Sequence, residues 1–236
     1  MLRDGVGVLL FTLTPALASD LPDGFVRLAD IDPTIQQSMN YAGTNNFIGR
    51  VVKGYEAPVC IVTEKAAKAL ARVQAKLADD GLTLVMFDCY RPERAVKDFM
   101  DSIGAGGPPD PKWHPNVKRG DLQKRGYLAR RSAHSRGSTV DIGLLRLEQA
   151  GISPEPACGA GHDMMVPFGT GYDCLDPASH TTNPKLSDEE KYNRKQLVEA
   201  MAAEGFRNYS KEWWHFTLNG EPFPKKAFDF PVTATD

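Results

Sequence analysis

The sequence predicts an α+β fold: a single domain with a mostly antiparallel sheet flanked by helices. Three observations carry this. Helical periods and short apolar runs are mixed without a regular β-α-β alternation, which disfavours a doubly wound sheet. The last two extended segments, Phe206 to Tyr209 and Trp213 to Leu218, are close enough to pair as a hairpin. The length of 236 residues fits one large domain or at most two small ones.

The elements follow in order. Thr63 to Asp80 reads as a helix, because Ala66, Leu70, Val73 and Leu77 recur at helical spacing between a capping Thr63 and Gly81. Leu82 to Phe87 is an apolar run bounded by Gly81 and Asp88, as expected of a buried strand. Pro92 opens a second helix with Val96, Phe99, Met100 and Ile103 on its apolar side and Gly104 past its end. Residues 104–115 are rich in Gly and Pro and read as a loop. Ser138 to Leu145 reads as a strand, and residues 151–184 as a long irregular connection, a kind of segment that is usually functional or tied down. Ser187-Asp-Glu-Glu190 is a capping box for a helix running to about Glu204 and closed by Gly205.

Composition sets the outer bounds. Hydrophobic content of 42% and charged content of 25% are ordinary for a globular protein. A net charge of −2 gives no reason to expect a nucleic-acid or anionic-membrane partner.

The N-terminus differs from the rest. Arg3, the apolar run from Val6 to Leu17 and the Ala16-Leu17-Ala18 site read as a secretory signal. The run is too short for a membrane span. Cleavage near Ala18 would leave residues 19–236 as the mature domain in the periplasm or outside the cell. If the segment is a tail rather than a signal, the protein stays cytoplasmic, and Asp4 beside Arg3 speaks for that alternative.

Export would place Cys60, Cys89, Cys158 and Cys174 in an oxidising compartment. Cys158 and Cys174 flank one Gly/Pro-rich loop and are the favoured pair. Cys60 and Cys89 each lie near a predicted strand and could pair or remain buried thiols. No C-x-x-C is present, so a thiolate zinc cluster is disfavoured.

The chemistry-bearing residues lie in two stretches. Ser132-Ala-His-Ser-Arg-Gly-Ser-Thr-Val-Asp141 offers His134 and Asp141, and Glu212-Trp-Trp-His215 adds a second imidazole and a spare carboxylate. Three N/O ligands with a fourth position for water are what a catalytic zinc site needs. Glu212 could then take a proton from that water. In a straight strand His134 and Asp141 would face opposite ways, so the chain must bend between them. Ser135-Arg136-Gly137 supplies the bend, since Gly137 tolerates positive φ. Glu212 and His215 pose the same problem, which puts Glu212 at a strand entrance or on a bulge. Trp213, Trp214 and Phe216 are core or rim aromatics. Arg91, in Asp88-Cys-Tyr-Arg91-Pro92 at a strand-to-helix junction, could pair with a nearby acid or stabilise an oxyanion.

Ser-x-His-x-x-Gly-x-x-x-Asp, followed by Glu-x-x-His and preceded by Tyr-Arg-Pro, resembles the VanX-type D-alanyl-D-alanine dipeptidases. These are zinc peptidases that share a fold with D-Ala-D-Ala carboxypeptidases and the hedgehog signalling domain. Tyr41-Ala-Gly-Thr-Asn-Asn-Phe47, Gly54-Tyr55-Glu56, Glu212-Trp-Trp-His-Phe216 and Phe228-Asp-Phe-Pro231 follow the same family in order, from about Asp30 to Val232. The resemblance implies one Zn2+ on His134, Asp141 and His215, Glu212 as catalytic base, and Arg91 as the group that polarises the scissile carbonyl. It places Ser132 and Asp173 where the family binds the ammonium of a dipeptide, with Tyr41 and Tyr55 near the same pocket.

Thr139 and Ala133 depart from the residues common in the motif, and the stretch from Glu148 to Asp173 looks longer than is typical. These differences bear on substrate fit. His114, His162 and His180 read as ordinary loop histidines. The implied partner is a small dipeptide, and an exported enzyme would scavenge cell-wall dipeptides rather than deplete a cytoplasmic pool. The alternatives are a D,D- or L,D-carboxypeptidase on cell-wall peptides and a non-catalytic zinc-binding module. A structural zinc site needs neither Glu212 nor Arg91, which argues against the module.

Overall fold

A computed structural model of the chain describes residues 21–148 and 153–234. The expected signal at residues 1–18 lies outside them. The strands are β1 (Phe25–Arg27), β2 (Gln36–Gln37), β3 (Ile61–Thr63), β4 (Leu82–Asp88), β5 (Thr139–Arg146), β6 (Phe206–Tyr209) and β7 (Glu212–Leu218). The helices are α1 (Leu28–Ile31), α2 (Glu64–Ala78), α3 (Glu93–Gly104), α4 (Leu122–Arg125) and α5 (Asp188–Ala203). Short 3-10 turns occupy Asn40–Ala42, Arg119–Asp121, Ala133–Arg136 and Pro177–Ser179.

Local chemistry explains the long elements. In α2 the predicted apolar positions Ala66, Leu70, Val73 and Leu77 are all buried, and the Thr63 hydroxyl accepts from the Ala66 amide at the N-terminus. Helix α5 carries the full capping box: Glu190 N donates to Ser187 Oγ at 3.2 Å, and Ser187 N donates to Glu190 Oε2 at 2.7 Å. Arg72 and Lys76 of α2 both bind Glu204 at the end of α5, which ties the two helices together.

The main sheet has the order β2-β4-β5-β7-β6. The β2–β4 pairing is parallel, and β4–β5, β5–β7 and β6–β7 are antiparallel. The predicted mostly antiparallel sheet is therefore present, including the β6–β7 hairpin. A separate antiparallel pair joins β1 and β3. Every residue of β4 and residues 139–145 of β5 are buried, so these central strands are covered on both faces.

The long connection is tied down. Cys158–Cys174 closes it, as the sequence favours, and Ala160 and Tyr172 exchange backbone hydrogen bonds across it. Its Tyr172 ring stacks on Phe87 of β4 with centroids 4.8 Å apart. The pairing the sequence leaves open is also formed: Cys60 is bonded to Cys89.

Candidate active site

Sheet register builds the site. Asp141 of β5 stands opposite Asp88 of β4 on one side and His215 of β7 on the other. Directly opposed residues project to the same face with closely spaced Cβ atoms. Three side chains thus form one row across three strands.

His134 joins the row from the turn that precedes β5. Ser132 caps that turn, its hydroxyl accepting from His134 N at 3.2 Å. Gly137 then reverses the chain at φ +77°, where a side chain would run into the ring of Phe25. This is the bend the spacing of His134 and Asp141 requires. Glu212 is the first residue of β7, beside a register shift at Asn208/Tyr209. It therefore escapes the alternation that would turn it away from His215.

Three donor atoms converge. Asp141 Oδ1 lies 3.0 Å from His215 Nδ1 and 3.3 Å from His134 Nε2, and the two ring nitrogens are 3.2 Å apart. His134 Nδ1 lies 2.8 Å from the carbonyl oxygen of Cys89. A carbonyl can only accept, so Nδ1 carries the proton and Nε2 presents a lone pair to the cluster. Asp141 Oδ1 is buried with no hydrogen-bond donor. Burial lowers the pKa of His215, which favours the neutral imidazole. Burial alone would raise Asp141, but the two imidazoles outweigh it and hold the carboxyl well below its ordinary range. Two imidazole nitrogens and a carboxylate oxygen suit a divalent cation of nitrogen and oxygen preference. Among the described residues, this is the one group of His, Cys, Asp or Glu side chains placed to hold a metal.

Charged groups surround the cluster. Glu212 Oε2 lies 3.6 Å from His215 Nδ1. Burial, reinforced by Asp141 and Asp173, pushes the Glu212 carboxyl well above its ordinary pKa. Arg91 gives Nε and Nη2 to Asp88 Oδ2 at 2.9 and 2.8 Å, and Nη2 lies 3.5 Å from Asp141 Oδ2. Its guanidinium carbon sits 4.9 Å from the centre of the Phe99 ring and 5.3 Å from that of Tyr41. Asp173 receives the Tyr41 hydroxyl at 2.7 Å and has a left-handed backbone, φ +62°. Burial lifts the Asp173 carboxyl to about 7, although the Tyr41 hydrogen bond pulls it down.

A cavity of about 210 Å³ opens on these groups. Arg91, His134, Asp141, Asp173, Glu212 and His215 all line it, as do Tyr41 and Ser132. Tyr55 does not: its hydroxyl donates to Asp88 Oδ1 at 2.6 Å, so it braces the acid that holds Arg91. His114, His162 and His180 stand apart from the cluster, and His180 is bonded instead to the Tyr127 hydroxyl.

Two contributors escape a reading by motif. Asp88 fixes Arg91 by two bonds, a role that its place three residues before Arg91 allows but that the motif itself does not assign. Tyr172 reaches Asp141 Oδ2 at 3.3 Å from the long loop, with no local signal at all.

Comparison with known proteins agrees with this geometry. The profile of the peptidase family described as D-Ala-D-Ala dipeptidase matches residues 22–233. A D-alanyl-D-alanine dipeptidase of Streptomyces coelicolor is 39% identical, covering 88% of this chain and 98% of its own. One from Enterococcus faecium is 36% identical over 89% of this chain and 98% of its own. One from Escherichia coli is 30% identical over 89% of each. The chain belongs to the D-Ala-D-Ala dipeptidase family of metallopeptidases.

Proposed function

We propose that the protein hydrolyses D-alanyl-D-alanine, or a close D,D-dipeptide, to free amino acids, with one zinc ion held by His134, Asp141 and His215. The observation that carries this is the convergence of three donor atoms beside Glu212 in a cavity that also presents Asp173 and Arg91. When bound, the metal supplies a Lewis acid and an acidified water.

The chain's own residues do the rest. Asp173, held by Tyr41, takes the substrate ammonium at one end of the cavity. Arg91, its guanidinium plane fixed by Asp88, stabilises the charge that develops on the carbonyl oxygen. Glu212 takes the proton of the attacking water at its carboxylate and passes it to the leaving amine. Burial raises its pKa, which suits a group that must hold the proton before returning it.

The cavity is smaller than the roughly 300–1,000 Å³ of drug-sized ligand sites, as expected for a dipeptide. In a longer peptide the nitrogen facing Asp173 would be acylated and uncharged. That favours a dipeptidase over a carboxypeptidase, and the long loop contributes to this selection because it carries Asp173.

We further read residues 1–18 as an export signal and 19–236 as the mature enzyme. The two disulfides support an extracytoplasmic site. No helix among the described residues is long and apolar enough to cross a membrane. Release of D-alanine from the dipeptide by purified protein, with and without a chelator, tests the activity.

A further inference from the structure

The mechanism above anchors one end of a zwitterion and leaves the other unassigned. A free carboxylate on the dipeptide would be matched by a cation elsewhere in the cavity. Two arginines line it: Arg91 and Arg131. Arg91 is committed, since Asp88 holds it through two nitrogens and Asp141 lies beside it. Arg131 is exposed, and among the described residues it has no acidic partner.

Its position is the second observation. Arg131 and Ser132 form a wall shared with a neighbouring cavity of about 470 Å³. That cavity is basic, with Lys97, Arg130, Arg136 and Lys225 against Glu93 and Asp101. Some of these charges are spent: Lys97 is paired with Asp101 and Arg136 with Glu221. Arg130, Arg131 and Lys225 are left facing solvent without such partners among the described residues, and of these only Arg131 also lines the first cavity. Neither Asp173 nor Tyr41 lines this second cavity. The cavity therefore presents the carboxyl of Asp173 and the unpaired guanidinium of Arg131, the two kinds of group that the ends of a zwitterion call for.

We propose that Arg131 binds the free carboxylate of the dipeptide and sets the enzyme's preference for substrates with an unblocked C-terminus. The inference rests on the dipeptidase reading. A guanidinium offers a planar fork of donors that fits a carboxylate in two parallel hydrogen bonds. Arg131 touches neither the metal ligands nor Glu212 by any hydrogen bond or ion pair, so its contribution falls on substrate binding rather than on the chemical step.

The test compares the metal-loaded wild type with Arg131→Ala and Arg131→Lys on D-Ala-D-Ala and on its C-terminal amide. Wild type should prefer the free acid. Arg131→Ala should raise KM for the acid about 10-fold, with kcat little changed. Its kcat/KM for the amide should stay within about twofold of wild type, because that substrate never used the charge. Arg131→Lys should recover part of the loss. Equal losses on acid and amide would mark a structural role, and no loss on either would place the carboxylate elsewhere. Either result overturns the assignment. A wild type that cleaves neither substrate would sink the dipeptidase reading itself, so the two failures are distinguishable.

Discussion

His134 is oriented by a disulfide-bonded residue: its Nδ1–H donates to the backbone carbonyl of Cys89, 2.8 Å away, and Cys89 is linked to Cys60. The orientation of Nε2, the nitrogen proposed to face the metal, therefore depends on a carbonyl held by a cross-link to Cys60, the residue that precedes β3. Groups that hold a metal ligand from behind commonly change metal affinity about 10- to 100-fold when lost.

Replacing Cys60 and Cys89 together by serine should accordingly weaken metal binding by about 10-fold, the low end of that range, because Tyr90 N still bonds Ile61 O across the same junction. Competition with a chromophoric chelator reads this directly. Unchanged affinity in a folded variant would show that the carbonyl is held in place without the cross-link.

Glu212→Gln keeps the shape of the side chain and removes its proton chemistry. We expect metal to stay bound at one per chain while kcat falls by about 10²- to 10⁴-fold. Metal content by elemental analysis beside steady-state rates makes the measurement. Loss of metal with activity retained would contradict the role given to Glu212.

Arg91 pairs with Asp88 and is proposed to stabilise the oxyanion, and substitution should reveal both. Arg91→Ala should lower kcat by about 10²- to 10³-fold through loss of oxyanion stabilisation. It should also lower stability by about 3–5 kcal/mol, because buried Asp88 loses its counter-charge. Denaturant melts and kinetics on the same preparation separate the two effects. A stable, inactive variant would leave only the catalytic duty.

If Asp173 takes the substrate ammonium as proposed, it sets an acid limb. Burial raises its pKa to about 7, so the carboxylate is ionised above that value and protonated below it. Only the ionised form attracts an ammonium, so kcat/KM should fall as pH drops through the Asp173 pKa. A bound cation nearby would draw that pKa downward, which places the limb at or below about 7. Asp173→Asn should remove the limb and cut kcat/KM about 10- to 100-fold, mainly through KM. A limb that survives in Asp173→Asn would belong to another group.

What the sequence discloses and what it withholds follow from the range of each interaction. Helices α2 and α5 are legible because Leu70, Val73, Thr63 and the Ser187–Glu190 box act within one or two turns. Gly137 announces the bend that brings His134 to Asp141, since positive φ is a local demand. The row Asp88–Asp141–His215 is not legible from local pattern, because it depends on the register of strands distant in the chain. The Cys60–Cys89 link stays open for the same reason. Tyr55 shows the limit of resemblance: a motif fixes its place in the chain, but only the structure shows that it turns to Asp88 rather than to the cavity.

The most direct test of the account is release of free D-alanine from D-Ala-D-Ala by the purified mature protein, beside a longer peptide ending in D-Ala-D-Ala, each with and without a chelator. The account predicts cleavage of the dipeptide alone, abolished by the chelator and restored by zinc. Cleavage of the longer peptide would contradict selection by Asp173, and no cleavage of either by protein carrying one metal per chain would contradict the enzymatic reading as a whole.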